Sequence, residues 1–271
     1  MLFRSLAPIL RAIQDPEVET IVVQGNVQSG KSMVLELWSA FVPSRTPGPM
    51  LLLQDVDLNA QDWQQTRLRP LWENTPSTRE RIGDIDRNKW HTTQFQRNTT
   101  WVLGANNERN LQRRSIRFLG GDECWQWPKG HLKQAQARRT AFTWQGKSVF
   151  VSQGGVEGDE FTDLFNSTDR GEWSFRCLKC GERQPFDWVQ IKYPQEAKTA
   201  QGWNLDIVRA GTYYECKCCQ EKYLDRNSVR AMMTKDAEYV PQNPAAPKGR
   251  DRKSTRLNSS HIPLSRMPSS A

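Results

Sequence analysis

No run of apolar residues in this sequence approaches the roughly 18 needed for a membrane-spanning helix, so it is read as having no such span. Residues 1–10 hold too short an apolar stretch for a secretory signal, and the chain carries no internal repeat. Charge is also modest. The formal net charge is +8, but in residues 251–271 Arg252, Lys253, Arg256 and Arg266 against Asp251 leave +3, so residues 1–250 carry +5. That balance suits an anionic partner such as nucleic acid without demanding one. Nor is the chain short of apolar groups: 37% hydrophobic and 10% aromatic residues set it apart from disordered sequences. Its 271 residues suffice for one large domain or a domain plus a small module. A cytosolic setting follows, where the six cysteines are read as metal ligands or buried thiols rather than disulfides.

Short aliphatic and β-branched runs at residues 20–23, 50–53, 100–103, 116–119 and 148–151 are bounded by polar or glycine-rich stretches and read as buried strands. Residues 31–41 have helical apolar spacing, and residues 59–72 start at an N-cap type residue and carry Trp63, Leu68 and Leu71 on one face. Strand and helix in alternation predict an α/β fold, a parallel sheet with crossover helices. After about Gly171 the aliphatic runs stop, and cysteine pairs and aromatics such as Trp173, Phe175, Phe186, Trp188, Tyr213 and Tyr214 take over. The expected organisation is a first domain over 1–170, a small module over 171–240, a Pro-rich linker over 241–250, and an aperiodic Ser- and Arg-rich tail over 251–271.

Gly25-Asn26-Val27-Gln28-Ser29-Gly30-Lys31-Ser32 satisfies the whole GxxxxGK[ST] pattern, after a strand and before a helix. In such a loop the backbone N–H groups and the helix N-terminus cradle phosphates, the lysine supplies a point charge to the outer phosphates, and the serine hydroxyl ligates magnesium. The fold expected is therefore that of a P-loop NTPase of the ASCE, RecA-like kind, with ATP and Mg2+ as cofactors. A strand ending in an acid should accompany the loop. Residues 116–123 supply it, with Asp122 as the magnesium ligand and Glu123 as the base that deprotonates an attacking water. A water-activating glutamate has no use in a small-molecule kinase, which excludes water, so hydrolysis is the expected chemistry.

Cys177-Leu178-Lys179-Cys180 and Cys216-Lys217-Cys218-Cys219 form two CxxC knuckles. Cys177, Cys180, Cys216 and Cys219 are the expected ligands of a structural Zn2+ in a zinc-ribbon-like module, with Cys218 an alternative to Cys216 or Cys219. Cys124, beside the acidic pair, reads as a packed thiol.

These elements in this order resemble the lambda-type, GpA-like family of phage terminase large subunits over residues 5–240 or so. Asp15-Pro16-Glu17-Val18, Gln28 inside the phosphate loop, Pro47-Gly48-Pro49 and Leu68-Arg69-Pro70-Leu71 carry the resemblance. So do Gly104-Ala105-Asn106 with Asn110-Leu111, Arg113-Arg114 leading through Arg117 to the acidic pair, Arg139-Thr140, and Ser167-Thr168-Asp169-Arg170. The resemblance implies an ATPase in the host cell cytoplasm that docks at a procapsid portal and drives double-stranded DNA into it. It also implies a homo-oligomeric ring and a small terminase subunit as partners. Where the family has Ser-Thr-Pro after the acidic strand, this chain has Ser152-Gln153-Gly154; Ser152 is kept and is placed with the nucleotide site. Arg114 and Arg139 are the candidates for the arginine that stabilises charge in the transition state.

Two rival readings have specific weaknesses. A helicase would need a second RecA-like half of another hundred or more residues. A non-enzymatic zinc-dependent nucleic-acid-binding protein would have no need of intact Lys31, Asp122 and Glu123. At the ends of the chain, the family's segment preceding the phosphate loop is expected to be missing. Residues 251–261 and 265–271 read codon for codon as a translated short-read sequencing adapter and its continuation. The expectation is that residues 251–271 are not biological and lack structure, and that a C-terminal nuclease was lost with the truncation.

Overall fold

A computed structural model of the chain describes residues 2–83, 89–142, 145–199, 202–246 and 255–256. Helix α1 (Leu2–Gln14) leads to β1 (Thr20–Gln24), α2 (Lys31–Arg45) and β2 (Met50–Gln54). Helix α3 (Asp57–Trp63) passes through a π turn (Gln64–Leu68) into α4 (Arg69–Asn74) and α5 (Pro76–Arg79). The hairpin of β3 (Thr92–Phe95) and β4 (Asn98–Gly104) follows, then β5 (Phe118–Asp122), α6 (His131–Ala137), β6 (Lys147–Ser152) and α7 (Glu160–Asn166).

Strands β1, β6, β5, β2 and β4 lie side by side in that order, all parallel, with β3 antiparallel at the flank of β4. This is the expected α/β, P-loop NTPase fold of the ASCE arrangement, in which β6 stands between the phosphate-loop strand and the acidic strand. Strands β1 and β2 are near-continuous apolar runs because both faces of the sheet are covered. Along β1, Ile21 and Val23 join the core with α1 and α2, while Val22 joins the opposite core with α6 and α7. Alternation of side chains along each strand supplies both layers. Strand β5 reads Phe-Leu-Gly-Gly-Asp for a steric reason. A Cβ on Gly120 would lie 2.6 Å from Leu52 Cδ2, and one on Gly121 would lie 2.7 Å from the Trp127 ring.

The helix expected at residues 59–72 differs in two respects. It starts at Asp57, whose carboxylate accepts the Gly104 N–H at 2.7 Å and an Asn110 side-chain N–H at 2.8 Å. It also widens at Gln64–Leu68, because Pro70 has no N–H to donate to residue 66 and its ring crowds that carbonyl.

Strand β7 (Gly171–Arg176) follows and pairs antiparallel with β8 (Arg183–Pro185). Then come β9 (Ile191–Lys192), β10 (Lys198–Thr199), β11 (Gly202–Trp203), α8 (Leu205–Gly211), β12 (Tyr213–Glu215), β13 (Lys222–Leu224), α9 (Asn227–Met233) and β14 (Glu238–Val240). Strand β14 returns to pair with β7, and its Tyr239 packs against both the module's core and that of α1 and α2. Of the tail expected to lack structure, Thr255–Arg256 forms a short strand, β15, parallel to both β1 and β7. The open backbone edges of those two strands supply its hydrogen bonds. The remainder of residues 251–271 lies outside the described residues. No helix among the described residues is long and apolar enough to cross a membrane.

Candidate active site and metal centre

The loop from Gly25 to Gly30 joins the end of β1 to the start of α2. Its path needs two left-handed residues, Gln28 at φ 62° and Gly30 at φ 79°. The Gly25 N–H donates to the Ser152 carbonyl at 3.0 Å, so the base of the loop rests on the end of β6. Within the loop the Ser29 hydroxyl is buried and has no hydrogen-bond partner among the described residues, a polar group that a phosphate oxygen suits. Lys31, the first residue of α2, is buried, and its Nζ lies 3.0 Å from Glu123 Oε1.

Asp122 ends β5 and is buried at 4% exposure. Burial raises its pKa, and hydrogen bonds from Ser32, Gln54 and the Glu123 N–H oppose that rise. The Gln54 amide donates to Asp122 Oδ2 at 3.0 Å, and the Ser32 hydroxyl donates to the same carboxylate. Glu123 stands next in the chain at φ 46°, a conformation uncommon for a residue with a Cβ. The Trp125 indole N–H reaches Glu123 Oε2 at 3.0 Å. Thus Gly25 to Ser32, Asp122, Glu123 and Ser152 are gathered at the C-terminal ends of three parallel strands, where open α/β sheets bind ligands. The Ser32 hydroxyl and the Asp122 carboxylate offer hard oxygen donors that suit Mg2+.

The two nominated arginines are not brought to this place. Arg139 is buried, with its guanidinium donating to the Ser148 hydroxyl at 2.7 Å and to Glu19 at 2.8 Å. Ser148 pairs with Thr20 at the start of β1, so Arg139 sits at the opposite end of the strands, roughly 13 Å along them from the loop. Burial lowers its pKa and Glu19 raises it again. Arg114 lies over the Trp101 ring of β4, 5.5 Å from its centroid. Four strand spacings, or ~19 Å, separate β4 from β1. The arginine that shares a cavity with Glu123 is Arg67, on the π turn; the cavity holds about 330 Å³ and includes Gln54, Asp62 and Gln126 in its lining. Arg67 pairs with Glu36 of α2 at 3.1 Å. Gln54, Arg67 and Trp125 were not read from the sequence. The polar residue closing the buried run of β2 is the one signal that could have marked Gln54.

The two cysteine knuckles meet. The sulfurs of Cys177, Cys180, Cys216 and Cys219 all lie within 4.8 Å of one another, with Cys177 to Cys219 at 3.6 Å and Cys180 to Cys216 at 3.8 Å. Thiolates ~2.3 Å from a tetrahedral zinc are about 3.8 Å apart, so the quartet fits that ion. Cys218 is exposed and outside the quartet. The Tyr223 hydroxyl bonds Cys177 Sγ at 3.0 Å, and the Gln184 amide donates to Cys216 Sγ at 3.0 Å. Both contacts favour ionised sulfur. The knuckles have the same backbone: Gly181 donates to the Cys177 carbonyl at 2.9 Å and Gln220 to that of Cys216 at 3.0 Å, each in the left-handed region. Cys124 is buried, which raises its thiol pKa.

The family described as "Phage terminase large subunit gpA, ATPase domain" matches residues 5–238. No curated protein sequence matches the chain. Among solved structures, the large terminase ATPase domain of Thermus phage P74-26 is similar at 18% identity and a TM-score of 0.42, covering 65% of this chain and 76% of that one. The large terminase of a thermophilic bacteriophage, solved in complex with ADP, is similar at 15% identity and a TM-score of 0.41. That match covers 55% of this chain and 38% of the ADP-bound terminase, well under half of its length.

Proposed function

Since this chain belongs to the family of gpA-type ATPase domains of phage terminase large subunits, we propose that it is an ATP-hydrolysing motor that drives double-stranded DNA into procapsids. The observation that carries this reading is the convergence of Lys31, Ser32, Asp122 and Glu123 from α2 and β5, which are far apart in sequence.

In this reading the backbone of residues 25–32 holds the phosphates of ATP and Lys31 places its charge against them. Ser32 and Asp122 hold Mg2+, which when bound neutralises charge on the phosphates. Gln54 keeps Asp122 oriented and helps it stay ionised despite burial. Glu123 takes the proton of the attacking water. Arg139 acts as a structural ion pair with Glu19. Arg114, partly exposed on the far flank, is left to serve the site of a neighbouring subunit in a ring. The cysteine quartet holds one structural Zn2+. A small terminase subunit and the portal are the partners that accompany this role, in the host cell cytoplasm.

ATP hydrolysis measured with and without double-stranded DNA and procapsids tests the proposal. Turnover in the wild type, raised by DNA and procapsids and lost in Lys31→Ala, is the expected result. Turnover unchanged by Lys31→Ala would place nucleotide binding elsewhere.

A further inference from the structure

Glu123 is held at three points. Its backbone sits at φ 46°, one carboxylate oxygen faces Lys31 at 3.0 Å, and the other accepts the Trp125 indole N–H at 3.0 Å. Trp125 is in turn pinned by its own backbone, whose N–H donates to the Ser152 hydroxyl at 3.1 Å. Ser152 ends β6, is fully buried, and supports the phosphate loop through the Gly25 N–H.

A second tryptophan of the same turn makes a useful contrast. Trp127 is buried, stacks edge-on against Phe150, and donates its indole N–H to the Asp122 carbonyl at 3.1 Å. It is part of the core. Trp125 is 39% exposed and belongs to none of the core clusters. A large, half-exposed aromatic whose polar atom meets the acid of the site is poorly explained by burial of apolar area.

We propose that Trp125 is a positioning residue that fixes the carboxylate of Glu123 and ties its orientation to the end of β6. It rests on the reading of Glu123 as the base for hydrolysis. A carboxylate on three rotatable bonds is oriented by what its oxygens touch, and Lys31 alone would leave one oxygen unrestrained. The indole N–H supplies that restraint without adding charge. Because the Trp125 backbone hangs from Ser152, a shift of the β6 end relative to β5 moves the indole and therefore the carboxylate.

The test is steady-state ATP hydrolysis by the full chain carrying Trp125→Phe, which keeps a ring and removes the N–H. Loss of one hydrogen bond to a charged group should lower kcat roughly tenfold. KM for ATP and the thermal midpoint should stay at wild-type values, which a merely structural role would not allow. Trp125→His, which retains a ring N–H, should recover part of the rate. In a Glu123→Gln background Trp125→Phe should cost nothing further. Wild-type kcat in Trp125→Phe, or an equal loss in both backgrounds, overturns the proposal while leaving Glu123 as the base. Wild-type turnover in Glu123→Gln overturns the underlying reading of Glu123 as well.

Discussion

In the parallel sheet, Lys31, Ser32, Asp122 and Glu123 stand at the ends of strands that are buried along nearly their whole length, with a core on each face. In the module after Gly171, four thiols are joined by strands such as β8, β12 and β13 of only three residues each, over one small aromatic cluster of Trp173, Phe175, Phe186, Tyr214 and Tyr223. The first region places its candidate site residues by packing. The second has too little apolar surface for that, and a zinc ion held by the four thiols would be part of its folding energy.

The sharpest break between the two regions should come from the cysteines. Cys177→Ser is expected to abolish the one zinc per chain, removing binding energy on the order of 10 kcal/mol, and to open the module to proteolysis while β1 to β6 stay protected. Metal analysis with limited proteolysis checks this. Zinc-free wild-type protein purified without chelator would contradict it.

A smaller effect should appear only in the sheet region. Lys147 begins β6, is buried, and donates to the carbonyl of Ala12 near the end of α1 at 3.1 Å and to that of Asp15 just beyond it at 2.7 Å. Burial lowers its pKa from 10.5 to about 8; Asp15 raises it and Arg139 adds to the lowering. Above pH 8 the folded protein releases this proton while the unfolded chain holds it to about 10.5, so this group's contribution to stability rises with pH across that window. Urea unfolding at pH 7 and pH 10 should show Lys147→Met without that component, a difference of ~1–2 kcal/mol. Identical pH dependence in the two proteins would refute it.

The smallest effect compares the two knuckles with each other. Gly181 occupies a left-handed position at no steric cost, and Gln220 occupies the equivalent one at φ 58°. Gln220→Gly should stabilise the zinc-loaded module by up to about 1 kcal/mol, read as slower zinc release to a chelator. Faster release would show that the Gln220 side chain matters more than its backbone.

The readable parts of this molecule were those whose chemistry is contiguous in the chain. The phosphate loop, the Asp122-Glu123 pair and the two cysteine knuckles each lie within eight residues, so local spacing makes them visible as candidates, and the alternation of apolar runs with helical spacing supplies the fold. Gln54 was missed because its place beside Asp122 follows from β2 lying next to β5, a consequence of strand order. Arg139 stands in a motif of the resemblance, which says nothing of its place in space, and α6 carries the chain back to the other end of the strands before β6 begins. Strand β3, at the polar flank of the sheet, has no continuous apolar run and gave no signal. The choice between Cys216 and Cys218 needed the direction of each sulfur, which the two-residue spacing alone does not specify.

The most direct test of the proposed hydrolytic site is the turnover of Glu123→Gln alongside its affinity for ATP and magnesium. The substitution keeps the side chain's shape, and Lys31, Ser32 and Asp122 remain in place, so binding should persist. Removing a positioned base should slow hydrolysis at least about a hundredfold. Turnover at the wild-type rate with binding retained would contradict the account and move the catalytic base away from the end of β5.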